Sequence, residues 1–444
     1  MFKVGARAIL AAAAFATFIY SWDTNMMQPV LPFYVQQNAA ALGIDPKGIG
    51  AFLGMIMGFY ALINCGGNLV FGWASDIRGR RLILSIGFLG CAIALLFYER
   101  MSSGGGLLAV RTIHGFFSGA LAPCTAAILA DTAPLEKRGV RMAMWAIFFA
   151  VGTMVASPVA GWLKVAYGAG AVWTVMSVFY FLVTIVIWLL IPDTRKLAAA
   201  TESKEEAPVS AAGARVSRWG FLSHLNVWIA CIGIMALFWI TAVWVTAFAQ
   251  HLTALNKAKV IGVDPSMALG MLMSLQGLSI IAFGGFLGRL CDLIGRKPLL
   301  IAAFAFLSAS PFLVSTYSLP LIVIGWGVCF GLAAALVWSS IMAVLTDELA
   351  PYERGTGMGF FMVFPTLGIG IGSPVIGNLS DLFGVQVGIM AGAFLPVTAL
   401  ILSAFARRRF ECKPVTPRLK LYLAIVTVVY LVIVGAMIPM LGPR

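Results

Sequence analysis

The chain has 444 residues, 61% of them hydrophobic and 11% charged, with a mean hydropathy of +0.97 and a formal net charge of +13. That balance lies far outside the soluble globular range and marks an integral membrane protein. The positive charge is accounted for by membrane topology and anionic lipid, so no nucleic-acid partner is needed.

Thirteen apolar stretches follow one another, each long enough to cross a hydrocarbon core of about 30 Å as a helix. They centre near Tyr20, Tyr60, Gly90, Gly119, Val151, Phe181, Phe238, Gly277, Ala309, Val328, Pro365, Thr398 and Val429. Barrel strands would be shorter and would alternate polar with apolar residues, so the fold class is all-α. Lys3 and Arg7 before an alanine-rich run imitate a secretory signal, but the apolar run continues to about Phe33, and it reads as an uncleaved first span.

Lys and Arg segregate strongly when the amino terminus is placed in the cytoplasm. Arg78, Arg80, Arg81, Lys137, Arg138, Arg296, Lys297, Arg354 and Arg407 to Arg409 fall inside, whereas Lys47, Arg100, Lys164, Lys257, Lys259 and Arg444 fall outside. With an odd number of spans the carboxyl terminus is expected outside, in what reads as a bacterial inner membrane. The seven cysteines avoid the outside loops and show no C-x-x-C spacing, which implies neither disulfides nor a thiolate metal site.

Turn and kink residues repeat at one constant offset. Gly72, Asp76, Gly79 and Arg80 return as Gly288, Asp292, Gly295 and Arg296, an offset of 216 residues. Asp131 and Arg138 return as Asp347 and Arg354, and Gly152, Pro158 and Gly161 as Gly368, Pro374 and Gly377. A matched set of this kind means one structural unit built twice. The expected organisation is a six-helix bundle over 1–192, a polar linker over 193–222, a second six-helix bundle over 223–406, and a basic segment with a thirteenth helix over 407–444. The thirteenth helix has no partner in the repeat and reads as a lipid-facing addition.

Gly72-Trp73-Ala74-Ser75-Asp76-Ile77-Arg78-Gly79-Arg80-Arg81, with its second copy at Gly288 to Lys297, resembles the G-x-x-x-D-x-x-G-[RK]-[RK] signature of the major facilitator superfamily. The resemblance covers the first twelve spans and implies two six-helix bundles around a central cavity. It also implies that these loops brace the halves in the outward-facing state. Physically, Gly72 permits close helix approach, Asp76 can accept from amides at a neighbouring helix N-terminus, and Gly79 allows a tight turn. Asp131, Glu136 and Arg138, with Asp347, Glu353 and Arg354, look like the matching loops after the fourth and tenth spans. Their acids are expected to pair with the signature arginines across the cytoplasmic face.

Arg111-Thr112-Ile113-His114-Gly115 resembles the family's R-x-x-Q-G motif, with His114 in place of Gln. An Arg inside the membrane costs about 2.5–3.5 kcal/mol on insertion scales and needs a partner. Pro29-Val30-Leu31-Pro32 looks like the first-span signature of the drug:proton antiporter branch, which includes the tetracycline exporters. Asp23, just upstream, is the only acid near the middle of a span. Asp23, Arg111 and His114 are therefore the candidate proton-coupling residues.

Ser157-Pro158-Val159-Ala160-Gly161 and Ser373-Pro374-Val375-Ile376-Gly377 are similar to the antiporter motif in which a kinked helix seals the halves. Polar and aromatic residues on the expected cavity helices include Trp22, Asn25, Gln28, Tyr60, Asn64, Trp239 and Gln276. No nucleotide loop or catalytic triad occurs, so neither an enzyme nor a cofactor or metal is implied. The partners read as a small-molecule substrate, protons and membrane lipid, with the chain monomeric. The function expected is proton-coupled efflux of a small amphipathic compound. The alternatives are an importer or facilitator of a nutrient (sugar, organic anion) or metal ion, or a non-transporting scaffold or sensor.

Overall fold

The computed structural model describes residues 6–132, 138–192, 220–349, 357, 360–405 and 417–443. Residues 193–219 of the polar linker, the tips of the loops after the fourth and tenth spans, and most of the basic segment lie outside these residues. The described chain is helical almost throughout. Twelve of its helices are long and apolar enough to cross a membrane. The first span, Ala6–Met27 continued by Leu31–Asn38, is not in that set, because Ser21, Asp23, Thr24 and Asn25 interrupt its apolar run.

Four glycines in the left-handed region turn one span directly into the next. Gly79 (φ 104°) separates Ile49–Arg78 from Arg80–Phe97, and its repeat Gly295 (φ 96°) separates Pro265–Ile294 from Arg296–Val314. Gly168 (φ 86°) and Gly384 (φ 97°) do the same after Arg138–Tyr167 and Val363–Phe383. A side chain would strain each of these turns, so the repeat preserves glycine at both copies.

The two halves pack alike. In the first, span one lies on span five, span two on span four, and span three on span six. In the second, span seven (Leu225–Val243, continued to Lys257) lies on span eleven, span eight on span ten (Leu319–Val323, continued to Glu348), and span nine on span twelve (Val385–Ala391, continued to Ala404). Two seams join the halves, span two against span eleven and span five against span eight. These seams are copies of each other. A Cβ on Gly54 would stand 2.4 Å from the carbonyl oxygen of Ser373, and a Cβ on its repeat Gly270 would stand 2.4 Å from that of Ser157. Helices this close exclude any side chain at those two positions. The Ser-Pro segments of the fifth and eleventh spans are thus the surfaces on which the glycines of spans eight and two rest.

The seams differ along their length. We call the end that carries Arg80 and Arg296 the basic face and the opposite end the far face. Near the far face, Asp381 at the end of span eleven accepts from the backbone N–H groups of Gly50 (2.9 Å) and Ala51 (2.6 Å) in the first turn of span two. A carboxylate there completes orphan donors and meets the positive end of the helix dipole. On the other seam Lys164 Nζ lies 3.6 Å from Asp264 Oδ1 and donates to Ser266 Oγ at 3.3 Å. Towards the basic face, a Cβ on Gly72 or Gly284 would meet nothing within 4 Å. The halves are locked at the far face and loosen towards the basic face.

That gradient corrects the expected role of Gly72, which makes no close helix approach in this state. The thirteenth span, Pro417–Leu441, is also more than a lipid-facing addition. Tyr430 is fully buried, donates to the carbonyl of Gly327 (2.5 Å), and shares a 2.6 Å hydrogen bond with Ser279 Oγ. Gly327 sits in a π-helical segment, Ile324–Gly331, where the widened turn changes the backbone pairing and leaves a carbonyl for the tyrosine.

Candidate functional site

Span four, Gly104–Ser118 followed by Leu121–Asp131, presents Arg111, His114 and Ser118 at i, i+3 and i+7 on one helical face. That face meets Asp23 of span one, Tyr60 of span two, Tyr98 at the end of span three and Tyr180 of span six, Ala169–Leu190. The cluster is sealed from solvent: Asp23 and His114 are 0% exposed and Arg111 is 2%.

Asp23 is the hub. His114 Nε2 lies 2.7 Å from Oδ1, and the Tyr180 hydroxyl donates to the same oxygen at 2.9 Å. The Tyr60 hydroxyl donates to Oδ2 at 2.9 Å, and Ser118 Oγ donates to it as well. A carboxylate has about four lone-pair sites, so four donors saturate it in its ionised form. His114 Nδ1 in turn lies 2.9 Å from the Tyr98 hydroxyl and 3.3 Å from Arg111 Nη1. The guanidinium stacks 3.7 Å above the Tyr60 ring and reaches Tyr98 at 3.4 Å. Asp23 and Arg111 are linked through His114 and Tyr60, and Arg111 Nε is buried with no hydrogen-bond partner among the described residues.

The arrangement offers His114 Nδ1 as a place for an additional proton. With hydrogen on Nε2, neutral His114 donates to Asp23 and accepts at Nδ1, and the cluster of Asp23, His114 and Arg111 is neutral overall. Protonation at Nδ1 requires Tyr98 to become the acceptor and leaves one buried positive charge in excess. Cys91, Asp23 and His114 present ligand atoms within 4.8 Å of one another. The Asp23 oxygens are already engaged by four donors, however, and Arg111 opposes a metal cation, so the geometry fits proton chemistry.

The three candidate coupling residues are brought into one network. Tyr60, expected in the substrate cavity, is instead part of it. The remaining cavity candidates are dispersed. Asn25 donates to Ser21 O (2.7 Å) and Thr153 Oγ1 (3.0 Å), and Asn64 donates to Gly115 O (3.3 Å). Trp22 packs between Phe18 and Phe179, and Trp239 donates to Ala391 O at 3.3 Å in the second half. The Trp22 indole nitrogen and Gln28 Oε1 are buried with no hydrogen-bond partner among the described residues. Gln276 is half-buried on span eight.

At the basic face, Arg80 binds Asp131 (2.7 Å) and Asp76 (2.8 Å), and Arg296 binds Asp347 (2.9 Å). Each pair closes inside its own half. The expected reach of Asp76 to a neighbouring helix N-terminus is corrected: its carboxylate is 65% exposed and pairs with Arg80 one turn away. Arg81 stacks on Trp188 at 4.1 Å, and Lys297 Nζ donates to the Ala404 carbonyl at 2.5 Å. Glu136, Glu353 and Arg354 lie outside the described residues, as do the side chains of Arg138 and Asp292 and the surroundings of Gly288.

Sequence reasoning missed Tyr98, Ser118, Tyr180 and Asp381. Ser118 could have been found from its helical spacing to Arg111 and His114. The tyrosines carry no such signal, because Tyr is common at membrane interfaces.

The family model for the Major Facilitator Superfamily matches residues 13–263 and 254–442. An uncharacterised MFS-type transporter of Methanocaldococcus jannaschii is 23% identical over 87% of this chain and 95% of its own length. The multi-drug resistance efflux pump PmrA of Streptococcus pneumoniae is 22% identical over 83% of this chain and 88% of its own. Among solved structures, a bacterial homologue of the human lysosomal transporter Spinster, in an inward-facing and occupied conformation, superposes with a TM-score of 0.70 at 16% identity. That match covers 89% of this chain and 96% of the other. The chain belongs to the Major Facilitator Superfamily and is an integral membrane transporter, not an enzyme.

Proposed function

We propose that the chain exports a small amphipathic compound in exchange for protons, by alternating access of a cavity between bundles 1–192 and 223–406. The observation that carries this reading is the buried Asp23–His114–Arg111 cluster, which occurs in only one of the two repeated halves. The segregation of Lys and Arg favours a cytoplasmic amino terminus, an external carboxyl terminus and a bacterial inner membrane. In that orientation the basic face is the cytoplasmic end, and the exposed Asp76 and the open space at Gly72 favour an inward-facing reading.

A proton taken from outside reaches His114 by way of Tyr98, which ends span three at the far face. Held on the Asp23–His114 pair, it favours the inward-facing arrangement and leaves to the cytoplasm as substrate binds. Inward proton flow supplies about 2.3 kcal/mol per charge per 100 mV. Trp22, Asn25, Gln28, Asn64, Trp239 and Gln276 are the cavity candidates, and the unpaired polar atoms of Trp22 and Gln28 are the groups a substrate would satisfy. The Asp76, Arg80, Asp131 and Arg296, Asp347 sets act as gates that re-form between the halves when the basic face closes.

The reading is tested by screening a compound panel in proteoliposomes with and without an imposed pH gradient. Gradient-dependent movement of an amphipathic compound against the proton flow is expected. Movement of a nutrient or metal ion along with the protons would replace export by import.

A further inference from the structure

The seam between span two and span eleven carries a carboxylate at each of its ends. The two helices are antiparallel, and Asp76 and Asp381 each stand two residues before the last residue of their helix, Arg78 and Phe383. Asp381 is docked across the halves, one oxygen taking the N–H of Gly50 and the other that of Ala51. Asp76, at the basic face, is 65% exposed and turned to Arg80 of its own half. One helix pair thus holds an acid engaged across the seam at its closed end and an acid kept within its own half at the other.

The matching turn of the second seam is built differently. Ser266 is the repeat of Gly50 at the 216-residue offset, and its N–H is capped from within its own half by Asp264 at 2.8 Å. What crosses that seam is Lys164, through the Ser266 hydroxyl at 3.3 Å and Asp264 at 3.6 Å. Losing Lys164 would leave the start of span eight capped. Losing the Asp381 carboxylate would take the acceptor from two backbone donors at the start of span two, where Asp45 is engaged by the N–H of Lys47 at 2.9 Å. Glycine lets the acid in: a Cβ on Gly377 would meet the Gly50 carbonyl oxygen, and one on Gly50 would meet Asp381 itself. Hydrogen bonds to an ionised acceptor are about twice as strong as neutral ones, so this docking favours the closed far face.

We propose that Asp381 is the latch of the far-face gate, a positioning residue whose two bonds across the seam set the balance between closed and open states. When the far face parts, water reaches the carboxylate and both N–H groups, so the contact breaks without leaving a buried unpaired donor. The proposal rests on alternating access, and on neither the direction of transport nor proton coupling.

Spin labels on the full chain in proteoliposomes report both ends, replacing Arg100 and Lys257 at the far face and Arg78 and Phe405 at the basic face, all four exposed. Asp381→Asn should raise the ratio of open to closed far-face populations by about 10-fold and shift the basic-face distances towards closure. Asp381→Ala, the second variant should the first not fold, should act in the same direction. Lys164→Met should move the ratio clearly less, because Asp264 still caps span eight. Two populations left unmoved by the Asp381 variants, even with a lowered unfolding temperature, would make Asp381 merely structural and overturn the latch. An equal shift in Lys164→Met would overturn it as well, by showing a general loosening. A single invariant distance at each face in every protein would overturn the latch and alternating access together.

Discussion

The two halves share a scaffold and differ in chemistry at matching positions. Where the first half has Asp23, Arg111 and His114, the second has Trp239, Gly327 and Phe330 at the same offset. The charged network of the first half is replaced by a buried aromatic group of Trp244, Phe248, Trp326 and Phe330, in which the Trp244 and Trp326 rings meet, tilted, at 4.2 Å. The helix pairings, the four turn glycines and the Gly-on-Ser contacts of the seams are kept twice, since both halves need them to move as bodies. The ion cluster is present once, and on that ground we propose proton handling for the first half and packing for the second.

The sharpest way to break this comparison is to remove one charge of the buried cluster. Arg111→Leu leaves Asp23 uncompensated and should cost about 3–5 kcal/mol of stability. The double variant with Asp23→Asn should be destabilised by clearly less than the sum of the two single changes, as read from thermal unfolding of all four proteins. Additive effects would mean that the two residues do not act as a pair. In the second half, Trp326→Leu should cost about 2–3 kcal/mol through lost packing and leave the pH dependence of transport unchanged, since no charge is touched. A shifted pH profile in that variant would erase the division of labour between the halves.

The seams offer a smaller and symmetric test. Gly54→Val and Gly270→Val each put a side chain against a carbonyl that already sits 2.4 Å from a Cβ, and should cost the closed far face about 1–3 kcal/mol. Spin-label distances across the far face should lengthen in both variants by similar amounts, because the two contacts are copies. A response at one seam alone would show that the halves do not hinge as equivalent bodies.

Much of this was legible in the sequence, and the rest was hidden for identifiable reasons. Asp23, Arg111 and His114 stand out as polar interruptions of apolar spans, and the repeat isolates them because their counterparts are apolar. Gly79 and Gly295 were legible as turns because the family signature fixes their place. Gly54 and Gly270 were not, because glycine within a membrane helix can serve packing, kinking or neither. The conformational state was also invisible. Asp76 and Gly72 have the same identities whether the basic face is open or closed, and only coordinates distinguish an exposed Asp76 paired with Arg80 from one docked on the other half. The thirteenth span read as lipid-facing because Tyr430 is a single residue in an otherwise apolar helix, and neither the π-helical segment it serves nor the carbonyl it binds has a sequence mark.

The central claim is that the single-copy cluster couples proton movement to transport. It is tested most directly by measuring Asp23→Asn in proteoliposomes in two modes, accumulation driven by a pH gradient and gradient-free exchange of substrate. The account predicts that driven accumulation falls by about 100-fold and no longer responds to external pH, as expected when His114 loses the carboxylate that balances a transferred proton. Exchange should persist within a few-fold of the unmodified protein. Full gradient-driven accumulation in Asp23→Asn, with the pH response intact, would contradict it.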